Sequence, residues 1–314
     1  MELSLELAAQ LAWTGLASSS YYCLFAVAFA LVLKVSRVWN FGQAGLMVVA
    51  YFAMFVCLQR LKLPVAASLA IGFAATMAAA LALERFGFRV LRQRNSSVLT
   101  YFIFTIAFSQ CAIYVAELIF GTDPKTLFAS IVWPVMLVGP VVVSHWDMIA
   151  LTVTLALFAG LYVFVRKTRE GKAMIAVSDE PDLAEMYGMS RDRAYGVAML
   201  LAAVMMAAGM FLIGARAAMY PATPLNQFLI YAVIATILAG IGNIFRAALA
   251  AVGLALLQSF SVLFIASKWQ ILMLYVLIFV VIIVFPRGVT LNLRRRGPMR
   301  EAAALEAPAK EDKA

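Results

Sequence analysis

The sequence predicts an all-α fold, a polytopic integral membrane helical bundle. Three observations carry this reading. Hydrophobic residues make up 65% of the 314 residues and charged residues only 13%, with a mean hydropathy of +0.94. Soluble domains average about half apolar and about a quarter charged. The apolar residues gather in runs of about 20, the length that crosses about 30 Å of hydrocarbon. A membrane β-barrel would alternate apolar and polar residues in segments of about ten, and no such alternation runs through this chain. An ordinary cytoplasmic enzyme, a disordered protein and a disulfide-stapled secreted domain are excluded.

The first run spans about residues 10–33. Glu2 and Glu6 precede it and no base appears before Lys34. A signal peptide needs a basic start, so this run is expected to be a retained helix. It closes in Lys34-Val35-Ser36-Arg37-Val38-Trp39-Asn40-Phe41-Gly42. Further runs cover about 43–58, 65–83, 98–119, 148–165 and 195–215. A long stretch, 228–267, is interrupted by Gly240-Ile241-Gly242-Asn243 and Arg246, and a last run covers 270–286. Breaking the long stretch at Gly242 gives about nine crossings, with eight to ten admissible where a short run is re-entrant. Residues 120–146 form the largest loop on the outer side, with turn residues at Gly121-Thr122-Asp123-Pro124 and an apolar stretch from Leu127 to Val143. Residues 1–290 are expected to form one transmembrane domain, and 291–314 a charged, Ala-rich cytoplasmic tail with little to bury.

Charge sets the orientation. With nine crossings and the N-terminus outside, Arg60, Lys62, Lys125, Arg216 and Lys268 lie outside, and the other 20 of the 25 Lys and Arg lie inside. Basic residues gather in cytoplasmic loops, so the N-terminus is expected outside and the C-terminus inside. The same bias accounts for the net charge of +9 without nucleic acid as a partner.

Catalytic chemistry finds no footing. There is no GxxxxGK[ST] phosphate loop, no HExxH and no GxSxG. His145 is the only histidine, with no second His or Cys nearby, so no metal site is expected. Cys23, Cys57 and Cys111 lie inside apolar runs and read as small buried hydrophobes. Of the acids nearest the membrane, Glu84 sits beside Arg85 at a helix end and reads as an interfacial anchor. Glu117 lies within an apolar run, where an ionisable group is costly, yet close enough to the outer end of its helix to reach water.

The informative segment is the loop at about 166–194. Ser178 or Asp179 is a natural N-cap, and Pro181 suits a first helical turn, where its missing N–H costs little. Asp179, Glu180 and Asp182 place negative charge at the positive end of that helix. Gly188 fits the position after the helix, where φ is positive. A short helix over 180–187 follows, with Leu183, Met186 and Tyr187 at i, i+3 and i+4 forming one apolar stripe. Such a stripe outside the bilayer needs a covering surface: a partner protein, the chain's own helices or the lipid headgroups.

This loop resembles the cytoplasmic coupling loop of ABC importer permeases of the branched-chain amino acid type. The matching positions are Gly171, Ala176, Asp179 and Glu180, Ala184, Gly188 and then Met189. Asn40-Phe41-Gly42-Gln43-Ala44-Gly45 is similar to the family's Asn-Phe-Ala-His-Gly stretch. Leu238-Ala239-Gly240-Ile241-Gly242-Asn243 is similar to its Leu-Gly-Gly-Ile-Gly-Ser, and Val284-Phe285-Pro286-Arg287-Gly288 to its Met-Pro-Thr-Gly end. The likeness covers about residues 10–290 in order and spacing, and is nearer to the shorter, H-type permease. Gly42 and Gln43 depart from the family's Ala and His, and Phe245-Arg246 from its Pro-Gly.

The resemblance implies one transmembrane half of an importer in a bacterial-type inner membrane. It implies a second permease subunit, two ATP-binding cassette subunits that carry ATP and Mg, and an extracytoplasmic solute-binding protein. This chain itself needs no cofactor, and its cargo is expected to be branched-chain amino acids or related small polar solutes. Asp179, Glu180, Leu183, Ala184, Met186, Tyr187 and Gly188 are expected to couple to the ATPase, with Ala184 against it. The interruptions at Asn40, Phe41, Gly42 and Gln43 and at Gly240, Gly242 and Asn243 free backbone groups that lipid cannot satisfy. Irregular backbone at membrane depth stands only against protein or a water-lined cavity, so these residues are candidates for the substrate pathway. Ordinary cytoplasmic turns are the other reading, and the topology places both near that side. An ion- or proton-coupled carrier is the alternative function and would need an essential buried acid such as Glu117. A membrane enzyme would need a polar catalytic cluster at one face.

Overall fold

A computed structural model describes residues 5–128, 133–240, 242–264, 266 and 269–284. The tail at 291–314 and the segment Phe285–Gly288 lie outside the described residues. The elements in order are α1 (Leu5–Ser36), α2 (Gly42–Phe55), α3 (Val65–Ala82), α4 (Arg89–Gln93), α5 (Val98–Phe120), β1 (Val135–Val138), β2 (Val141–Ser144), α6 (His145–Lys167), α7 (Arg169–Asp179), α8 (Pro181–Met186), α9 (Arg191–Gly214), α10 (Ile230–Ala239), α11 (Ile244–Ser261) and α12 (Gln270–Val284). Turns of π-helix extend α2 through Val56–Arg60, join α3 to α4 through Leu83–Phe88 and lead into α10 from Pro224–Leu229.

Each apolar run becomes a helix. Among the described residues seven helices are long and apolar enough to cross a membrane, and Pro224–Ala239 and Gln270–Val281 are shorter apolar helices. The chain is a polytopic helical membrane protein.

The middle of the bundle is built on α1, whose stretch from Tyr22 to Leu33 is apolar on all sides and buried on all sides. Leu24, Phe25, Ala26, Ala28 and Leu31 have at most 1% of their surface exposed. It packs on α9, α10 and α11. Small residues on α9 allow the approach: Ala202, Ala203 and Ala207 are fully buried, and a Cβ on Gly209 would stand 2.5 Å from the Phe25 ring. Close packing of small residues replaces the hydrophobic drive that lipid does not supply. Ser19 is also buried and spends its hydroxyl on the Leu16 carbonyl of its own helix, 2.6 Å away. By contrast α3, α5 and α6 turn Ile71, Leu81, Leu118 and Leu155 outward, as helices at a lipid boundary do.

Two expectations are corrected. Cys111, read as buried, stands exposed on α5, while Cys23 and Cys57 are buried as expected. The run was read as apolar throughout, but α5 buries only the side with Tyr101, Thr105, Ser109, Ile113 and Ala116, and Cys111 falls off that face. The apolar loop stretch before α6 folds as an antiparallel hairpin, β1 with β2, turning at Gly139-Pro140. Val135-Met136-Leu137-Val138 and Val141-Val142-Val143 have the β-branched content of strands. Gln10 of α1 pins the hairpin, donating to the Val142 carbonyl at 3.3 Å and accepting from its N–H at 2.8 Å.

Candidate functional site

At the opposite end of α6 from the hairpin the chain turns into a compact helical loop. Thr168 caps α7, its hydroxyl accepting from the Gly171 N–H at 3.0 Å. Gly171 has to be glycine for space: a Cβ there would stand 2.2 Å from the Phe164 carbonyl oxygen. α7 runs on to Asp179 because Met174 and Val177 lie on one face and are fully buried. Ser178 and Asp179, expected as the N-cap of the next helix, are therefore the last turn of this one. The Ser178 hydroxyl donates instead to the Lys34 carbonyl at 3.1 Å. The break falls one residue later. Glu180 is extended at φ −137° and ψ 87°, the conformation that a following proline imposes on its predecessor. Glu180 fills the cap position of α8 without a side-chain cap bond, and Pro181 opens the helix.

α8 ends as expected at Gly188, at φ +79°. The Gly188 N–H donates to the Glu185 carbonyl at 2.9 Å, and the Met189 N–H to the Ala184 carbonyl at 3.0 Å. These two bonds form a Schellman cap. Leu183, Met186 and Tyr187 are 48%, 84% and 77% exposed, so the apolar stripe has no cover within the described chain. Ala184 does not share that face. It is 4% exposed and packs with Val177 and Ala194. The expectation that Ala184 faces a partner is corrected: it sits on the reverse of the stripe, against its own chain.

Ion pairs hold α8 in place. Arg191 at the start of α9 reaches Asp182 at 2.6 Å and Glu185 at 2.7 Å. Its neighbour Asp192 takes Arg89 at 2.9 Å and Arg92 at 2.8 Å. Arg92 also pairs with Glu84, which is 7% exposed, and lies over the Tyr195 ring with its guanidinium 4.6 Å from the centroid. Glu84, read beside Arg85, is thus held by Arg92. The π turn Leu83–Phe88 between them turns both toward the start of α9. Arg37, just after α1, donates to the Ser178 and Asp179 carbonyls at the end of α7; neither that link nor the joining of Arg92 to Asp192 was visible in the sequence, since these partners lie about 100 residues or more apart.

The two interruptions differ from each other. Asn40 and Gln43 are buried, at 1% and 0% exposure. The Gln43 amide donates to the Ala28 carbonyl at 3.4 Å and the Asn40 amide contacts the Met199 sulfur at 3.4 Å. Their side-chain oxygens have no partner among the described residues. Ser109 of α5 serves the broken backbone, donating to the Phe41 carbonyl at 2.7 Å and accepting from the Gly45 N–H at 3.0 Å. A Cβ on Gly42 would stand 2.9 Å from the Asn40 side-chain oxygen. Gly240 and Gly242, at φ +79° and +111°, form a turn in which Gly242 and Asn243 are exposed. Asn243 caps α11, accepting from the Arg246 N–H at 3.1 Å; Ile241 lies outside the described residues. Gly242 reaches the other break through a cavity of about 370 Å³ lined also by Lys34, Arg37, Trp39, Ser178 and Asp179. Glu117 is partly exposed near the end of α5.

Residues 11–284 match the protein family described as branched-chain amino acid transport system / permease component. The chain is similar to the high-affinity branched-chain amino acid transport system permease protein BraD of Pseudomonas aeruginosa, 23% identical over 292 residues, with 88% of this chain and 93% of the relative covered. It is similar to the high-affinity branched-chain amino acid transport system permease protein LivH of Escherichia coli K12, 23% identical over 298 residues with the same coverage. LivH of Salmonella typhimurium is also 23% identical over 298 residues, again covering 88% of this chain and 93% of the relative.

Proposed function

The chain belongs to the branched-chain amino acid transport system permease family, and from that premise we propose that it carries branched-chain amino acids, or close small polar relatives, inward across a bacterial inner membrane. The energy comes from two ATP-binding cassette subunits that hold ATP and Mg and dock on the cytoplasmic side. A second permease subunit completes the channel, and a solute-binding protein delivers cargo at the outer face. Nine crossings, with both shorter helices α10 and α12 spanning, put the N-terminus outside and the C-terminus inside.

The observation that carries this reading is the uncovered stripe on α8. A six-residue helix is too short to persist alone in water. Here it is capped by Gly188 and clipped by Arg191 while Leu183, Met186 and Tyr187 point away from the chain. Asp179, Glu180 and Asp182 rim that apolar patch with negative charge. A rigid small helix with an apolar face and a charged rim is suited to a groove on a partner. ATP-driven movement of that partner then reaches the bundle through α7 and α9. Asn40, Phe41, Gly42 and Gln43, among which Asn40 and Gln43 are buried with unpartnered amide oxygens, are the better pathway candidates. Gly240, Gly242 and Asn243 serve as the turn between α10 and α11.

The test is reconstitution of the assembled importer with ATP inside and leucine-loaded binding protein outside. ATP-dependent leucine uptake is expected. The paired variant Met186→Ser, Tyr187→Ser is expected to keep the chain in the membrane and to lose the ATPase on purification. Leucine uptake by the chain alone, driven by a proton gradient, would overturn the reading in favour of a secondary carrier.

A further inference from the structure

We infer that Arg37 is a positioning residue of coupling, a clamp that ties the end of α7, and so α8, to the chain break between α1 and α2. The inference rests on the coupling role of α8. Arg37 is the first residue after α1 and adopts φ +55°, a left-handed conformation that residues other than glycine seldom take. From there one guanidinium nitrogen donates to two carbonyls, Ser178 and Asp179, each at 3.1 Å. These carbonyls belong to the last turn of α7, which leaves its final C=O groups without helical partners. Asp179 places an acid at that negative helix end, where a cation is favoured, and Arg37 supplies it. The bond from the Ser178 hydroxyl to the Lys34 carbonyl at 3.1 Å makes the clamp reciprocal.

The clamp joins two breaks. On one side only Glu180 separates α7 from α8. On the other, Arg37 is three residues from buried Asn40, where the chain runs irregularly into the start of α2 at Gly42. The cavity of about 370 Å³ beside the clamp, shared with Gly242, gives this joint room to move that a close-packed core lacks. A displacement of α8 is thus delivered to Asn40–Gln43 by a short path. The ion pairs of Arg191 and Asp192 deliver it separately to α4 and α9.

The experiment uses the assembled importer in proteoliposomes, with leucine and its binding protein as the probe. The measurements are chain in the membrane, ATPase retained, and leucine moved per ATP hydrolysed. Arg37→Gly removes the guanidinium and keeps the backbone turn, since glycine accepts φ +55°. Chain level and ATPase retention are expected unchanged, with leucine per ATP falling about fivefold or more, the range of a typical coupling free energy. Arg37→Lys, which keeps the cation, is expected to recover part of the loss, and Ser178→Ala to show a smaller fall. Wild-type leucine per ATP in Arg37→Gly overturns the inference, and so does loss of ATPase docking in that variant. Should Arg37→Gly fail to accumulate, Ser178→Ala decides: a fall in leucine per ATP supports the clamp, and a wild-type value makes it a folding element only. The α8 stripe variant fails or succeeds on docking alone, so the coupling reading and the clamp are judged separately.

Discussion

Gly188 and Ala184 lie four residues apart and answer to different constraints. Nothing lies within 4 Å of the place a Cβ on Gly188 would take, so its requirement is conformational. A β-branched side chain at φ +79° costs about 1–2 kcal/mol. Gly188→Val is therefore expected to fray the C-cap and loosen Tyr187, lowering the amount of ATPase retained on the purified chain, while Gly188→Asn, which tolerates the left-handed region, keeps most of it. Equal retention by the two variants would remove the cap from the argument. Ala184 is bounded by packing instead. It is closed in by Val177 and Ala194, and overpacking such a site costs about 1–3 kcal/mol. Ala184→Trp is expected to lower the thermal unfolding midpoint of the solubilised chain, a measurement Met186→Ser leaves unchanged. An unaltered midpoint in Ala184→Trp would mean that the residue faces outward after all.

At the scale of elements, the charge cluster at the start of α9 decides how α8 is carried. Glu84 is buried and Arg92 is its nearest cation. Removing one partner of a buried pair strands the other charge, on the order of 3–5 kcal/mol, whereas replacing both by apolar residues is often neutral. Arg92→Met is expected to reduce the folded chain recovered from membranes sharply, and Arg92→Met with Glu84→Leu to restore most of it, read by size-exclusion chromatography of the solubilised protein. A double variant as poor as the single one would assign Arg92 its main role toward Asp192 or Tyr195. How legible these elements were follows from what fixes each. α8 could be read because local chemistry bounds it, with Pro181 at one end and Gly188 at the other. α7 could not, because Ser178 has the chemistry of a cap but obeys the burial of Met174 and Val177. The hairpin at β1 and β2 escaped because an apolar stretch next to membrane helices carries no sign of its register. The clusters around Arg37 and Arg92 are tertiary, and no spacing along the chain announces them.

For the whole molecule, the sequence already separated nine apolar runs and among the described residues the fold keeps a helix in each, because length and hydropathy are what a bilayer demands. Which helices lie inside was not legible, since α1 and α6 are comparably apolar and only packing puts α1 in the middle. Orientation rests on charge, and the structure offers a clean place to test it. α6 alone separates the β1–β2 hairpin from the α7–α8 loop, so one crossing puts them on opposite faces whatever the total count. Arg166 and Lys167 close α6 and Arg169 and Lys172 follow it, and an excess of this kind selects the cytoplasm. With exposed Cys111 changed to Ser and the buried Cys23 and Cys57 left in place, single cysteines go to Pro140 in the hairpin turn and Lys172 on α7, both exposed. In spheroplasts a membrane-impermeant maleimide is expected to label Pro140→Cys and to spare Lys172→Cys until the membrane is opened. In inside-out vesicles the pattern is expected to reverse. Labelling of Lys172→Cys in intact spheroplasts would invert the chain and place α8 on the side without ATP. The stripe of Leu183, Met186 and Tyr187 would then have to meet a different partner, and the coupling role of α8 and the clamp at Arg37 would fall together.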